Sequence, residues 1–218
     1  MALEIYYSRE RHAGRWLAGF VLIALVGLSA WCGYKWYTTG DLPIPLPIAS
    51  ADTAVDESAV NPAQIASYTV SAQQPRYIYI PSLNLDKSRV RPIQIDANNL
   101  LQNPTNINDA GWYTKSATPG SGGQLVMTGH SSGINHDGVF KQLKTLKAGA
   151  SIMIQRGDGQ IFGYKVVDNK SLTIQQLNAT ALGATGSEGL SIITDGGKWV
   201  PKLASFDRRI VLRAVIGQ

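Results

Sequence analysis

Beyond Pro75 the sequence predicts an all-β fold, a barrel or a sandwich, on two observations. Short apolar or alternating runs follow one another there, and clusters of Gly, Pro, Asn and Asp separate them. At 218 residues with 44% apolar composition, the chain has room for one ordinary domain plus appendages, not for two cores.

The appendages come first. Residues 1–15 carry Arg9, Arg11 and Arg15, and residues 16–34 follow as a run of 19 without a charge. At about 1.5 Å per residue that run is long enough to cross a ~30 Å hydrocarbon core, which predicts a single transmembrane helix. With only Lys35 close behind it, the arginine bias predicts a cytoplasmic N-terminus and an extracellular remainder. The apolar run does not end in a small-x-small pair, so a retained anchor is predicted rather than a cleaved leader. The single cysteine, Cys32, lies in this run; it forms no disulfide framework and no Cys/His zinc spacing, and it reads as a small apolar residue. Residues 35–74 contain Pro43, Pro45, Pro47 and Pro62 among Ala, Ser, Thr and acidic residues, with no sustained period, and are expected to form a disordered or extended tether.

The domain is expected over 75–218. Its candidate strands are 76–80, 89–95, 124–128, 151–155, 161–168, 190–194 and 209–215. Gly157-Asp158-Gly159 forms a hairpin turn between two of them. Arg156-Gly157-Asp158 spells an adhesion tripeptide, yet glycine on both sides of an Asp is what a tight turn requires. Between His130 and Gly149, Val139, Phe140, Leu143 and Leu146 recur at helical spacing while Lys141, Lys144 and Lys147 fall on the other face, which predicts a short covering helix.

The net charge of +5 is unevenly distributed: +2 over 1–37, −4 over 38–74 and +7 over 75–218. A basic domain outside the cell suits an anionic envelope. The charge is not paired with an aromatic nucleic-acid motif, which argues against nucleic-acid binding. Neither a metal nor another cofactor is expected.

Chemistry-bearing residues gather at strand ends. Thr128-Gly129-His130 follows one apolar run, Ile192-Ile193-Thr194-Asp195-Gly196-Gly197 closes another, and Arg208-Arg209 opens a third. His130 and position 195 are 65 residues apart, and 195 and 208 are 13 apart. With 76–81 (Arg-Tyr-Ile-Tyr-Ile-Pro), Gly111-Trp112-Tyr113, Pro119-Gly120, 139–143 and 146–149, this constellation resembles the sortases over residues 74–218. The Thr-x-Gly-Gly end is most similar to sortases of class F or E. The resemblance implies a closed β-barrel with short helices, and a membrane-anchored cysteine transpeptidase or peptidase. Its partners would be the C-terminal sorting signals of surface proteins and a cell-envelope amine or water as acceptor. It implies His130 as acid/base and Arg208 as oxyanion partner, Arg209 taking that role if the register differs by one. Thr128, Thr194 and Arg209 would face the substrate.

One position departs from that pattern: where the family carries its cysteine, this chain has Asp195. A carboxylate is a feeble nucleophile toward an amide, and the mixed anhydride it would form is higher in energy than the peptide it replaces. The expectation is a sortase-fold protein inactive as a cysteine transpeptidase, with Asp195 paired to both His130 and Arg208 and its carboxyl held below the ordinary value. The alternatives are a non-catalytic binder of peptides or envelope polymers, and a Cys-to-Asp variant of a working sortase. Asp195 before two glycines also suits a plain turn. Gly129-His-Ser-Ser-Gly133 matches a nucleophile elbow with Ser131 as nucleophile, but no histidine follows His136 and the alternating βα units are missing.

Overall fold

A computed structural model describes residues 10–39, 55–96, 101–173, 176–177, 188–203 and 205–217. The chain divides into two compact units, Met1–Ser50 and Ala51–Gln218. The first holds helix α1 (Glu10–Thr39), which includes the stretch expected as a span. Among the described residues no helix is long and apolar enough to cross a membrane.

The second unit is a closed barrel of β1 (Pro75–Ile80), β2 (Leu85–Ile93), β3 (Ala110–Tyr113), β4 (Gln124–Gly129), β5 (Ser151–Arg156), β6 (Ile161–Thr173), β7 (Gly189–Val200) and β8 (Ser205–Ile216). Around the barrel the order is β1-β2-β3-β4-β7-β8-β6-β5, and β5 pairs back onto β1. The β2–β3 and β4–β7 pairs are parallel; the other neighbours are antiparallel. The seven expected strands all lie within or largely overlap observed ones. The eighth, β3, has only four residues, too few to show a period. Gly111 is what lets it seat, because a Cβ there would meet the Ile93 side chain and Thr128 Oγ1 at 2.9–3.0 Å.

Strand β4 and the Gly189–Thr194 part of β7 that pairs with it are buried on both faces, as a parallel pair in the middle of a sheet must be. Leu125, Met127, Leu190 and Ile192 point into the barrel core with Ile210 and Leu212 of β8. Val126, Ile193 and Val211 form a second apolar cluster, against which Leu101, Tyr113, Leu172 and Leu177 pack. β7 and β8 run further than expected, past a bulge at Gly196 to the Trp199–Phe206 pair, whose rings meet edge to face at 5.4 Å. Gly197, with φ of 78°, supplies the left-handed residue that this bulge uses.

Two expectations require correction. The covering helix over 139–147 is instead a chain of three-residue turns, with Lys141 N–H donating to Gly138 O, Leu143 to Phe140, Thr145 to Gln142 and Leu146 to Leu143; only Leu143–Thr145 is regular 3₁₀ helix. Phe140, Leu143 and Leu146 recur every third residue, a spacing that the 3₁₀ period accommodates. All three are buried, whereas Lys141, Lys144 and Lys147 are exposed. Asn169 Nδ2 donates to the Leu143 and Leu146 carbonyls at 2.8 and 3.2 Å.

The second correction concerns the tether, whose C-terminal part, 55–74, belongs to the barrel unit. It holds helix α2 (Pro62–Ser67), started by a capping box between Asn61 and Gln64 with Pro62 in the first turn. Tyr77 OH donates to Ile65 O, Tyr68 OH to Val90 O at 2.6 Å, and Arg76 Nε to Tyr68 O at 2.6 Å. These bonds come from β1 and onto β2, so composition inside 35–74 gave no sign of them. Residues 40–54 of the expected tether lie outside the described ones. The 157–159 turn forms as expected; Arg156 pairs with Asp158 across it, and Gly157 N–H and Asp158 N–H donate to Gln74 O and Ala72 O.

The three-residue stripe sets a test by urea unfolding of the purified chain. Leu143→Ala removes a fully buried side chain and is expected to cost about 2–5 kcal/mol. Lys144→Ala on the opposite face stays within about 0.5 kcal/mol.

Candidate functional site

The site is built where β4, β7 and β8 lie side by side. The parallel register sets Thr128 beside Ile193 and Gly129 beside Thr194, and Thr194 Oγ1 donates to Gly129 O at 2.7 Å. That buried bond ties the end of β4 to the end of β7, so the next residue of each strand, His130 and Asp195, emerges from the same part of the sheet. Thr128 Oγ1 donates to Gln102 O at 2.9 Å, and His130 Nε2 lies 2.8 Å from Pro104 O. A carbonyl can only accept, so His130 Nε2 carries the proton. Close packing surrounds His130: a Cβ on Gly138 would run into the His130 carbonyl.

On β8 the register pairs Asp195 with Arg209 and Gly196 with Arg208. Arg209 Nη1 is 3.3 Å from Asp195 Oδ1, and both side chains are 20% exposed. Arg209 is braced by the carbonyls of Phe206 and Arg208 and by Ser205 Oγ. Arg208, first choice from the sequence, is exposed and stands opposite Gly196. The structure therefore brings Thr128, His130, Thr194, Asp195 and Arg209 together and leaves Arg208 out; the register is displaced by one from the first-choice reading.

The electrostatic expectation for Asp195 is also corrected. Burial pushes its carboxyl above the ordinary 3.8, and attraction from Arg209 and then His130 offsets this only in part. One cation at 3.3 Å, already shared with two carbonyls and a hydroxyl, does not replace the water that the carboxylate has lost. Beside Asp195 lies a cleft of about 180 Å³, lined among others by Ser131, Ser132, Phe140, Lys141, Lys144 and Gly196. Larger clefts of about 510 and 390 Å³ lie elsewhere, one between residues 57–65 and β2 and one behind the 102–106 segment. Ser131 sits in the loop after His130, not in a strand-to-helix elbow. Among the described residues, no three His, Cys, Asp or Glu side chains are grouped so as to hold a metal ion.

A family model, the Sortase domain, matches residues 78–216. The chain belongs to the sortase family. Solved structures agree on the fold. Sortase A from Corynebacterium diphtheriae, a lid mutant, is 20% identical with a TM-score of 0.50, covering 65% of this chain and 69% of its own. Sortase C-1 from Actinomyces oris is 20% identical at 0.50, covering 72% and 80%. Streptococcus agalactiae sortase C1, in complex with MTSET, is 17% identical at 0.50, covering 73% and 75%. No curated protein matches the chain.

Within this sortase domain, sequence reasoning missed the carbonyls of Gln102 and Pro104, because backbone acceptors in a loop leave no trace in residue type. Lys141 and Lys144 are exposed, as the sequence reading had them, but it gave no sign that they line the cleft beside Asp195.

The raised Asp195 carboxyl has a definite sign. Its contribution to stability is complete below the unfolded value near 3.8 and is lost as pH rises through the higher folded value. Asp195→Asn, which cannot ionise, is therefore expected to gain in melting temperature over the parent as pH climbs from 3 to 7. A constant difference across that range would place Asp195 in water. Carboxyl NMR titration separates the two arginines: Arg209→Met moves Asp195 further upward, and Arg208→Met leaves it where it is.

Proposed function

We propose that this chain is a membrane-anchored sortase-family protein that receives extended peptides at the β4–β7–β8 face and does not transfer them through a covalent thioester. The observation that carries this is Asp195, opposite Arg209 and beside the strand end that bears His130, at the position where the family resemblance puts the nucleophilic cysteine. The only cysteine in the chain, Cys32, belongs to the other unit. Attack by a thiolate on a backbone carbonyl, with His130 giving a proton to the leaving amine and Arg209 facing the oxyanion, has its supporting groups here without its nucleophile.

Half-buried Leu101, Tyr113, Leu172 and Leu177, which pack over the buried Val126, Ile193 and Val211, support peptide binding, since they leave some apolar surface for an aliphatic side chain. The peptides in view are the sorting signals of surface proteins. An envelope amine or water as acceptor applies only where a nucleophile is restored. Anchoring rests on the charge-free run 16–34 and the arginines before it; in α1, apolar side chains such as Phe20, Leu22, Ile23 and Val26 are exposed. The orientation proposed is N-terminus in the cytoplasm and barrel outside.

Cleavage of a library of quenched fluorescent peptides carrying sorting-signal sequences tests this reading. The chain as it stands is expected to cleave none, and Asp195→Cys to gain turnover that His130→Gln abolishes again. Losing a covalent nucleophile forfeits several powers of ten, at about 1.4 kcal/mol each. His130-dependent cleavage by the unaltered chain would overturn the proposal.

A further inference from the structure

Three consecutive residues ahead of α2, Asp56-Glu57-Ser58, touch both segments that flank His130. Asp56 forms a short parallel bridge with Asn106: its N–H donates to Thr105 O and its carbonyl accepts from Ile107 N–H, each at 2.9 Å. Its carboxylate accepts from Ser58 N–H at 2.9 Å and from Asn106 Nδ2 at 3.0 Å. Asn106 Nδ2 also donates to Ser58 O. These hydrogen bonds from Ser58 and Asn106 hold the Asp56 carboxyl down at about 2. The segment gripped in this way is the one whose Pro104 carbonyl accepts the hydrogen bond from His130 Nε2–H.

Glu57 grips the other side. Its Oε1 accepts from Ile134 N–H at 2.5 Å; Oε2 accepts from Asn135 N–H at 3.0 Å and lies 3.1 Å from His136 Nδ1. This is the loop that leaves His130. Gly133 makes the contact possible, since a Cβ there would overlap Glu57 Oε1. The two gripped segments are themselves joined, Val139 N–H donating to Ile107 O at 3.0 Å. Three residues thus close a bracket around one imidazole, with one carboxylate on each arm.

We infer that Asp56 and Glu57 are positioning residues for His130, holding the 102–107 and 133–138 segments together so that the ring stays on Pro104 O with its Nδ1 side free for a reacting group. This rests on His130 being the reacting imidazole of the site. The residues act through backbone they hold, and neither is placed in contact with a substrate.

The test is side-chain NMR of the full 218-residue chain, labelled with ¹⁵N, with His130 assigned by the signal lost in His130→Gln. In the parent, the Nε2–H proton of His130 is expected to be protected from solvent exchange by its bond to Pro104 O. Asp56→Asn sets an amide against Asn106 Nδ2, and Glu57→Gln sets one against Asn135 N–H or Ile134 N–H, each with shape preserved. Either is expected to bring loss of the protected His130 signal while the β4 and β7 amides keep theirs. Asn61→Ala, which weakens the neighbouring helix cap without touching the bracket, is the control and should leave the signal in place. A His130 resonance unchanged in both isosteric variants, or lost equally in Asn61→Ala, would overturn the inference. Because nothing here depends on turnover, the result stands apart from the peptide assay: absence of cleavage by Asp195→Cys counts against the proposed function and leaves this reading intact.

Discussion

The parallel pairing of β4 with β7 is the constraint from which the rest follows. Over the paired stretch both strands are covered on both faces, so neither can slip by a residue without exchanging the side chains of the barrel core with those of the second apolar cluster. The Thr194 hydroxyl fixes the end of the register by donating to Gly129 O. His130 and Asp195 are the first residues beyond that bond on each strand. Their proximity, though they are 65 residues apart in sequence, is a consequence of sheet register and owes nothing to loop chemistry.

Much of this could be read from the chain. Runs such as Leu125-Val126-Met127 and Ile192-Ile193 are apolar without alternation, as doubly buried strands are, and Thr-Gly-His and Thr-Asp-Gly-Gly mark their ends. What could not be read was set by partners distant in sequence. The choice between Arg208 and Arg209 depended on the pairing of β7 with β8, where a one-residue shift exchanges the faces. The helix expected over 139–147 turned on whether an apolar stripe repeats at three or at 3.6; Phe140, Leu143 and Leu146 fit both periods over so short a stretch. The fold of 55–74 came from Tyr68, Arg76 and Tyr77 bonding to carbonyls in and around it, a contribution that no local composition reveals.

Asp195 shows how burial and pairing compete. A thiol at this place would lose little on being enclosed, whereas a carboxylate gives up hydration that one shared guanidinium does not restore. The site accordingly holds an anion on unfavourable terms, next to Arg209 and His130. Its cleft also carries Lys141 and Lys144, brought there by the three-residue turns and not by any helix face.

The barrel closes on itself, β5 returning to β1, so that along its closed part each strand has a partner on either side; among the described residues only the ends of β6 beyond Val166 and of β7 beyond Thr194 pair with β8 alone. Recognition by strand addition, in which generic main-chain bonds supply affinity whatever the guest sequence, is thereby confined to those overhanging ends. Along the closed part of the sheet an extended guest is read through side chains standing off the sheet and through the segments between strands. Selectivity in such a protein can change by exchange of those segments, with the barrel beneath left as it is.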